Sequence, residues 1–243
     1  MTQNIYDNPE FFEGYSKLLR SVYGLEGAPE WPAMQAMLPD LKDLRVVDLG
    51  CGFGWFCRWA RAAGAARVLG TDISENMLAR ARASTNDDAI SYLHADLEML
   101  ELPQRAFDLA YSSLALHYVE NLSGLLETVR EALVPQSRLV VSMEHPTYTA
   151  SPNPGWLTGV NNRKVWPVDH YFVEGRRQTD WLAKGVVKHH RSLGTLFKIV
   201  TEAGFAIEQL KEFSPTPEQI AEQPQLADEL ERPIFLMFQA RAI

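Results

Sequence analysis

The chain has 243 residues, 46% of them hydrophobic and 22% charged, a balance typical of a globular protein large enough for one α/β domain with an insertion. The formal net charge is −8 and lysine and arginine form no cluster, so we expect no nucleic-acid partner, although a tRNA substrate stays open. The start at residues 1–5 is polar and no apolar run is long enough to span a membrane, which predicts a cytoplasmic protein without membrane insertion.

The first 45 residues are predicted to form helices ahead of the first core strand. Apolar residues recur at three- and four-residue spacing over residues 9–23, which predicts one amphipathic helix. A second helix is predicted at residues 31–38, with Pro32 in its first turn. These helices either pack on a sheet edge or cover a ligand, and Tyr6 and Tyr15 are the candidates for such a cover.

A buried strand at residues 46–49 leads into the glycine-rich turn of residues 50–54 and then into a helix predicted at residues 55–63. Glycines let a ligand approach the main chain, and the helix N-terminus presents free N–H groups, so this context is typical of a nucleotide-binding loop. A dinucleotide fingerprint needs glycine at position 55, where the chain has Trp55. Asp48, inside the strand end, instead favours a ligand with a cationic group.

The two cysteines of the chain, Cys51 and Cys57, lie at this turn. They lack the C-x-x-C spacing and have no histidine at metal-site spacing, so we expect free thiols in a reducing compartment and no metal.

The segment D-L-G-C-G-F-G at residues 48–54 resembles the first motif of the class I S-adenosylmethionine (AdoMet)-dependent methyltransferases. A tight glycine turn in some other α/β protein is the alternative for this loop taken alone. The resemblance implies that the backbone of residues 50–54 holds the methionine part of AdoMet and that Asp48 meets its amino group. It also implies that the N-terminal helices cover the cofactor.

Acidic residues follow the next two strands, which are predicted at residues 67–71 and 90–94. Asp72 lies about 20 residues beyond the glycine turn, where a carboxylate can accept both hydroxyls of a ribose, or else cap the helix that Ser74 begins and that runs to residue 83. The resemblance implies that Asp96 receives the adenine amino group. Met77 is either an adenine contact or a core side chain.

The fourth and fifth strands are predicted at residues 107–113 and 138–143, separated by a helix at residues 122–133 with one apolar stripe. After the fourth strand the chain lacks the N-P-P-Y element of amino-methylating DNA enzymes and resembles small-molecule methyltransferases instead. The resemblance places His117 near the reaction centre, whereas a histidine that only begins a helix is the alternative.

Residues 146–191 interrupt the αβ pattern and are rich in aromatic side chains and histidine. They are predicted to begin as loop and to continue as short strands at 168–173, 178–182 and 186–191, with turns at residues 174–175 and 184–185. Similar methyltransferases carry such insertions as a lid over the substrate. The alternative is that these aromatic residues form only the small core of the lid itself.

The remaining residues are predicted to complete the sheet. Ser192 caps a helix that continues to residue 203 and ends at Gly204, and a strand follows at residues 205–212. Residues 215–232 form a polar connection with one short helix, and the last strand covers residues 233–240. In the family that strand inserts antiparallel between strands five and six.

The predicted fold is thus a single methyltransferase domain of the α/β class, a Rossmann-like doubly wound sheet of seven strands. Its strand order is 3-2-1-4-5-7-6, with the last strand antiparallel. The parts are an N-terminal helical cover (1–45), an AdoMet-binding core (46–145), an inserted lid (146–191) and a C-terminal part of the core (192–243).

The resemblance implies transfer of the AdoMet methyl group to an oxygen, nitrogen or carbon atom of a small molecule by in-line displacement, leaving S-adenosylhomocysteine. The aromatic lid favours an apolar or aromatic acceptor. An oxygen acceptor needs a general base, and the candidates are His117, His145, which is expected to face the crevice, and His189 or His190, of which alternation along a strand lets only one face the pocket. One alternative is a non-catalytic AdoMet-binding sensor or partner protein. The other is a nicotinamide-dependent oxidoreductase, which Trp55 at the third glycine position disfavours. The oligomeric state stays open.

The cofactor contacts implied by the resemblance come from the cover, the glycine turn and the ends of the strands. They are Tyr15, Asp48, Gly50, Cys51, Gly52, Gly54, Asp72, Ile73, Met77, Asp96, Leu97 and Ser112.

Overall fold

The computed structural model describes residues 2–243. The helices are α1 (Pro9–Ser16), α2 (Leu19–Val22), α3 (Trp31–Met37), α4 (Trp55–Ala62), α5 (Glu75–Ala83), α6 (Leu122–Ala132), α7 (Pro146–Thr149), α8 (Leu193–Glu202) and α9 (Pro217–Glu222). The strands are β1 (Arg45–Leu49), β2 (Arg67–Asp72), β3 (Ile90–His94), β4 (Phe107–Ser113), β5 (Leu133–Glu144), β6 (Leu157–Thr158), β7 (Lys164–Val165), β8 (Gly175–Trp181), β9 (Ala183–His190), β10 (Phe205–Glu212) and β11 (Phe235–Ala242).

Within residues 2–243, seven strands form one sheet in the order β10-β11-β5-β4-β1-β2-β3. Strands β1 to β5 pair in parallel, whereas β11 runs antiparallel to both β5 and β10. The predicted strand order and the antiparallel last strand are confirmed. The order reverses between β1 and β4, so the connections that leave these two strands diverge and open a crevice at their carboxyl ends.

Alternation along the buried strands divides the core between the two faces of the sheet. Val46 packs on one face with Phe56 of α4, and Val47 packs on the other face with Leu126 of α6. Burying side chains of this size contributes roughly 1.5–3 kcal/mol each, and this explains why the β1 sequence is apolar on both faces. The central parallel strands are therefore fixed by burial on both sides.

The predicted single helix at residues 9–23 is wrong in one respect, because the chain breaks it into α1 and α2. Leu18 adopts an extended conformation (φ −64°, ψ 147°) between them. The break lets Phe11 of α1 pack against Trp181 while Arg20 of α2 forms an ion pair with Glu30. Apolar spacing continues through this change of direction, so the sequence pattern does not reveal it.

Strand β5 begins earlier than predicted, at Leu133 instead of residue 138. Leu133 pairs with Phe107 and the next parallel pair is Leu109 with Arg138, so the residues between form an irregular segment. Gln136 lies there with φ 71°. The predicted helix at residues 122–133 accordingly ends at Ala132.

The insertion between β5 and α8 is antiparallel, as predicted, but its elements differ from those expected. It starts with the short helix α7 and the small β6–β7 pair, and the long β8–β9 pair turns at Leu182 (φ 59°) instead of residues 184–185. The predicted strand at residues 168–173 is wrong, because the chain turns at His170 (φ 53°) and leaves Phe172 87% exposed.

The C-terminal elements follow the prediction closely. The Ser192 side chain accepts a hydrogen bond from Thr195 N and begins α8, and Gly204 follows the helix with φ 86°. The polar connection contains α9 and a 3-10 helix at Pro224–Leu230. Every helix in residues 2–243 is too short or too polar to cross a membrane.

Candidate active site

The glycine turn after β1 has the backbone shape that its sequence predicts. Gly50, Gly52 and Gly54 all have positive φ, at 76°, 52° and 70°. A Cβ at Gly50 would lie 2.4 Å from the Cβ of Ala115, whereas a Cβ at Gly52 would meet nothing within 4 Å. The loop therefore packs tightly on the connection after β4 at Gly50 and faces open space at Gly52, where a ligand can approach the main chain.

Asp72 ends β2 directly beside this turn. Its Oδ2 accepts a hydrogen bond from Gly52 N (2.8 Å) and its Oδ1 accepts one from Ser74 N (2.9 Å). Burial raises the pKa of this carboxyl to about 6. Each carboxylate oxygen has more than one lone pair, so Asp72 can hold the loop and still accept hydrogen bonds from a ligand.

Asp48 is the second carboxyl beside the turn and is only 2% exposed. Its Oδ2 lies 3.3 Å from the Sγ of Cys57, and both Cys57 and Cys51 are buried free thiols. Burial raises the Asp48 pKa to about 7, and the nearby charge of Asp72 adds to the rise. A buried carboxyl without a positive charge nearby resists ionisation. Such a group is suited to bind a cationic group of a ligand.

The raised pKa of Asp48 makes the ligand-free protein less stable as pH rises. Between the unperturbed pKa of 3.8 and the folded-state value of about 7, the folded chain binds more protons than the unfolded chain. We expect the wild type to lose about 3 kcal/mol more unfolding free energy than Asp48→Asn between about pH 5 and pH 8. Urea titrations at both pH values test this, and Asp88→Asn, at an exposed position, is the matched control. Equal losses in wild type and Asp48→Asn contradict it.

A cavity of about 270 Å³ extends from the glycine turn along the carboxyl ends of the strands. Most of the predicted cofactor residues line it. They are Tyr15, Asp48, Gly50, Cys51, Gly52, Asp72, Ile73, Met77, Asp96 and Leu97. Met77 is also a core residue, since it is 1% exposed, and Asp96 accepts a hydrogen bond from Glu98 N (3.0 Å).

Gly54 and Ser112 lie outside this lining, contrary to prediction. A Cβ at Gly54 would lie 2.3 Å from the hydroxyl of Tyr92, so this glycine faces β3 at the start of α4. The Ser112 hydroxyl donates to Leu49 O (2.9 Å) and joins β4 to β1. The neighbouring Ser113 lines the cavity instead.

The predicted orientation of His145 is wrong, because its ring is not part of the cavity lining. Its Nδ1 accepts a hydrogen bond from Thr147 N (3.0 Å) and caps α7. Its Nε2 lies 2.8 Å from an oxygen of Glu212 on β10. The helix that follows β5 thus turns the imidazole towards the sheet edge, away from the crevice.

His189 is also outside the cavity lining, since alternation along β9 turns its two neighbours inward. His190 is fully buried, with Nδ1 2.8 Å from the Thr149 hydroxyl and Nε2 2.9 Å from Tyr171 O. Lys188, which was not predicted as a site residue, is 3% exposed and faces the protein interior.

His117 lies in the cavity lining, near the position that the resemblance implies. Burial lowers its pKa to about 4, so the ring is neutral at pH 7. Its Nδ1 accepts the N–H of Glu144 (3.4 Å), which assigns the ring proton to Nε2. Nε2 lies 3.9 Å from Glu144 Oε1. The lone pair of Nδ1 therefore accepts a main-chain N–H of the protein.

Glu144 is the site residue that sequence reasoning missed. Its Oε1 lies 2.5 Å from Lys188 Nζ, and its buried Oε2 has no hydrogen-bond partner among residues 2–243. The sequence could have indicated this residue, because Glu144 is an acidic residue at the end of β5, at the same edge of the sheet as Asp48 and Asp72. The lysine could not be found that way, since it comes from the lid.

The N-terminal segment and the lid pack on each other beside the cavity. Phe11 contacts Trp181 edge to face, with ring centroids 5.4 Å apart. Tyr6 and Tyr15 line the cavity, and the Tyr6 hydroxyl is 3.4 Å from that of Tyr118. The glycine turn with its acidic residues, the tyrosines and Glu144 therefore line one cavity.

Comparisons with known proteins agree with this geometry. A family model described as a methyltransferase domain matches residues 47–141. The chain is 59% identical to an S-adenosylmethionine dependent methyltransferase from Mesorhizobium loti, over 90% of this chain and 100% of that one, with a TM-score of 0.87. It is 34% identical to an uncharacterized protein from Haemophilus influenzae, over 99% of this chain and 97% of that protein. A malonyl-[acyl-carrier protein] O-methyltransferase from Erwinia pyrifoliae is 39% identical over 100 residues, 41% of this chain and 37% of that protein.

Proposed function

The chain belongs to the class I S-adenosylmethionine (AdoMet)-dependent methyltransferases, and from that membership we propose that it methylates a small molecule with an apolar or aromatic body. AdoMet is its cofactor and S-adenosylhomocysteine its product, which removes the oxidoreductase alternative. The observation that carries the proposal is the single cavity that joins the glycine turn to Glu144 and is lined by tyrosines of the cover.

The residues at the glycine turn fit this cofactor. Asp72 takes the ribose hydroxyls, Asp96 the adenine amino group, and Asp48 the amino group of the methionine part. The open space at Gly52 lets the ligand approach the main chain. Arg20, which forms an ion pair with Glu30 at 3.0 Å and lines the cavity, is the cation for the methionine carboxylate of AdoMet. The sulfonium of bound AdoMet activates the methyl group, so the protein has mainly to align the acceptor and exclude water.

The acceptor occupies the end of the cavity that Glu144 and the tyrosines line. Tyr6, Tyr118 and Tyr148 contribute aromatic surface there, and Trp181 of the lid completes it. Aromatic walls with a few polar groups suit an apolar or planar small molecule.

Glu144 accepts the proton of the acceptor nucleophile. Glu144 lines the cavity and its buried Oε2 has no hydrogen-bond partner among residues 2–243, whereas Nδ1 of His117 accepts a main-chain N–H. Lys188 Nζ lies 2.5 Å from Oε1 and orients the carboxylate. His117 is a positioning residue, because its neutral ring accepts the N–H of Glu144 and directs Nε2 towards the same carboxylate.

The test separates small-molecule acceptors from macromolecular ones. Purified protein is incubated with methyl-labelled AdoMet and with a bacterial extract divided by ultrafiltration into small molecules, RNA and protein. We expect label in the small-molecule fraction, and we expect Asp72→Ala to remove it. Label that enters only RNA or protein contradicts the proposal, and no transfer at all supports the alternative of an AdoMet-binding sensor.

A further inference from the structure

A second cavity of about 260 Å³ lies beside the first, between the lid and the end of β5. The two cavities share Glu144, Tyr148 and Trp181 as lining residues. The two cavities therefore adjoin at these residues. The proposed function assigns no role to this second space.

Arg232 lines the second cavity and is 7% exposed. Its guanidinium lies 4.1 Å from the ring centroid of Trp166 and 4.6 Å from that of Tyr148. Glu229 lies 3.1 Å from Nη1, but Nε forms no hydrogen bond with any group in the part of the chain that the structure describes. A buried guanidinium normally uses its planar set of donors, so Arg232 retains donor capacity for a ligand.

Arg177 is a second buried cation in the lining, also 7% exposed. Its donors go to main-chain carbonyls, among them Ala150 O at 2.9 Å and Val173 O, and it forms no salt bridge within residues 2–243. Carbonyl oxygens satisfy hydrogen bonds without neutralising the charge. Burial lowers the pKa of Arg177, and the opposing charge of the exposed Asp169 does not offset this effect.

The cations of this cavity differ in whether a buried acid pairs with them. Lys188 is paired with Glu144, and Arg232 is paired with Glu229. The remaining acid in the lining, Asp180, is exposed and accepts a hydrogen bond from Gly185 N, and Asp169, whose charge acts on Arg177, is exposed as well. Arg177 therefore has no buried counter-ion, and a buried charge of this kind favours a ligand of opposite sign.

We propose that the second cavity binds an anionic group, carboxylate or phosphate, carried by the methyl acceptor. This inference rests on the proposed function, since it identifies the acceptor as an acidic aromatic molecule. Its body lies against Tyr148 and Trp181, its nucleophile lies at Glu144, and its anionic end meets Arg177 and Arg232. The anionic group holds the acceptor in the second cavity, and the methyl group is transferred to the nucleophilic atom that lies at Glu144.

Calorimetric titration with three probes of one shape tests this assignment. The probes are 2-naphthoate, 2-naphthyl phosphate and the neutral 2-naphthamide. We expect at least one anion to bind about tenfold more tightly than the amide, and Arg177→Gln and Arg232→Gln each to weaken that anion about tenfold. The anion that binds more tightly shows whether the site takes a carboxylate or a phosphate. Arg163→Gln is the matched control, because this arginine is exposed and pairs with Glu231.

Anions that bind no better than the amide overturn the inference, and so does an equal loss of affinity in Arg163→Gln. Titration of each variant with S-adenosylhomocysteine shows whether the chain is folded, and Arg232→Lys keeps the charge if Arg232→Gln does not fold. If the wild type neither binds S-adenosylhomocysteine nor labels any acceptor, the proposed function fails. The comparison of the three probes still shows whether the second cavity binds an anion.

Discussion

Glu144→Gln is expected to lower kcat for methyl transfer by about 100-fold or more and to leave the affinity for S-adenosylhomocysteine unchanged. The reason is that Glu144, which lines the cavity and whose Oε2 has no hydrogen-bond partner among residues 2–243, is the proposed proton acceptor. Glutamine keeps the shape of the side chain but cannot take up the proton. The cofactor groups at Asp72 and Asp48 are not altered by the change.

The measurement is initial rate with labelled AdoMet at saturating acceptor, with calorimetry for S-adenosylhomocysteine. Glu212→Gln is the matched control, since that side chain is 55% exposed and contacts His145 outside the cavity. Glu144→Gln leaves Lys188 buried without its counter-ion, so the double variant with Lys188→Met is made in parallel. A wild-type rate in the folded double variant shows that the nucleophile needs no proton acceptor at Glu144.

Asp72→Ala is expected to weaken binding of S-adenosylhomocysteine by about 100-fold, since it removes two hydrogen bonds to a charged acceptor worth roughly 1.5–3 kcal/mol each. The variant also removes the acceptor for the N–H groups of Gly52 and Ser74, so the glycine turn loses its link to β2. Both effects act on the cofactor end of the cavity.

Calorimetry of wild type and variant gives the affinity, and thermal unfolding without ligand shows whether the sheet persists. Asp88→Ala, an exposed aspartate after α5, serves as the control for loss of one negative charge. Affinity that stays within a factor of two of wild type in Asp72→Ala means that the ribose binds elsewhere.

Local patterns were enough to predict the central sheet. The unbroken apolar run of β1, the glycine turn and the Ser74 cap each specify their own backbone, because burial, positive φ and capping are decided by a few neighbouring residues. The order of the strands followed from the family resemblance and was confirmed. The acidic strand ends at Asp48, Asp72 and Asp96 also reached one cavity as predicted.

The parts that failed depend on contacts between distant residues. Whether a histidine after β5 faces the crevice is decided by α7, whose first turn His145 caps, and by Glu212 on β10. The lid register is decided by the turn at Leu182, and no glycine or proline signals that residue. Apolar periodicity carries no information on either choice.

The catalytic proposal needed the structure for the same reason. Lys188 and Glu144 are 44 residues apart and meet only because the β8–β9 pair folds back against the end of β5. The sequence indicated histidine as the base by residue type alone. In the structure, Nδ1 of His117 accepts a main-chain N–H, whereas Oε2 of Glu144 has no hydrogen-bond partner among residues 2–243.

A crystal structure with bound S-adenosylhomocysteine tests most directly whether one cavity holds both the cofactor and the acceptor. We expect both ribose hydroxyls within hydrogen-bonding distance of Asp72 and the ligand sulfur directed along the cavity towards Glu144. A sulfur atom directed away from Glu144, or a ribose that does not contact Asp72, contradicts a cavity shared by cofactor and acceptor.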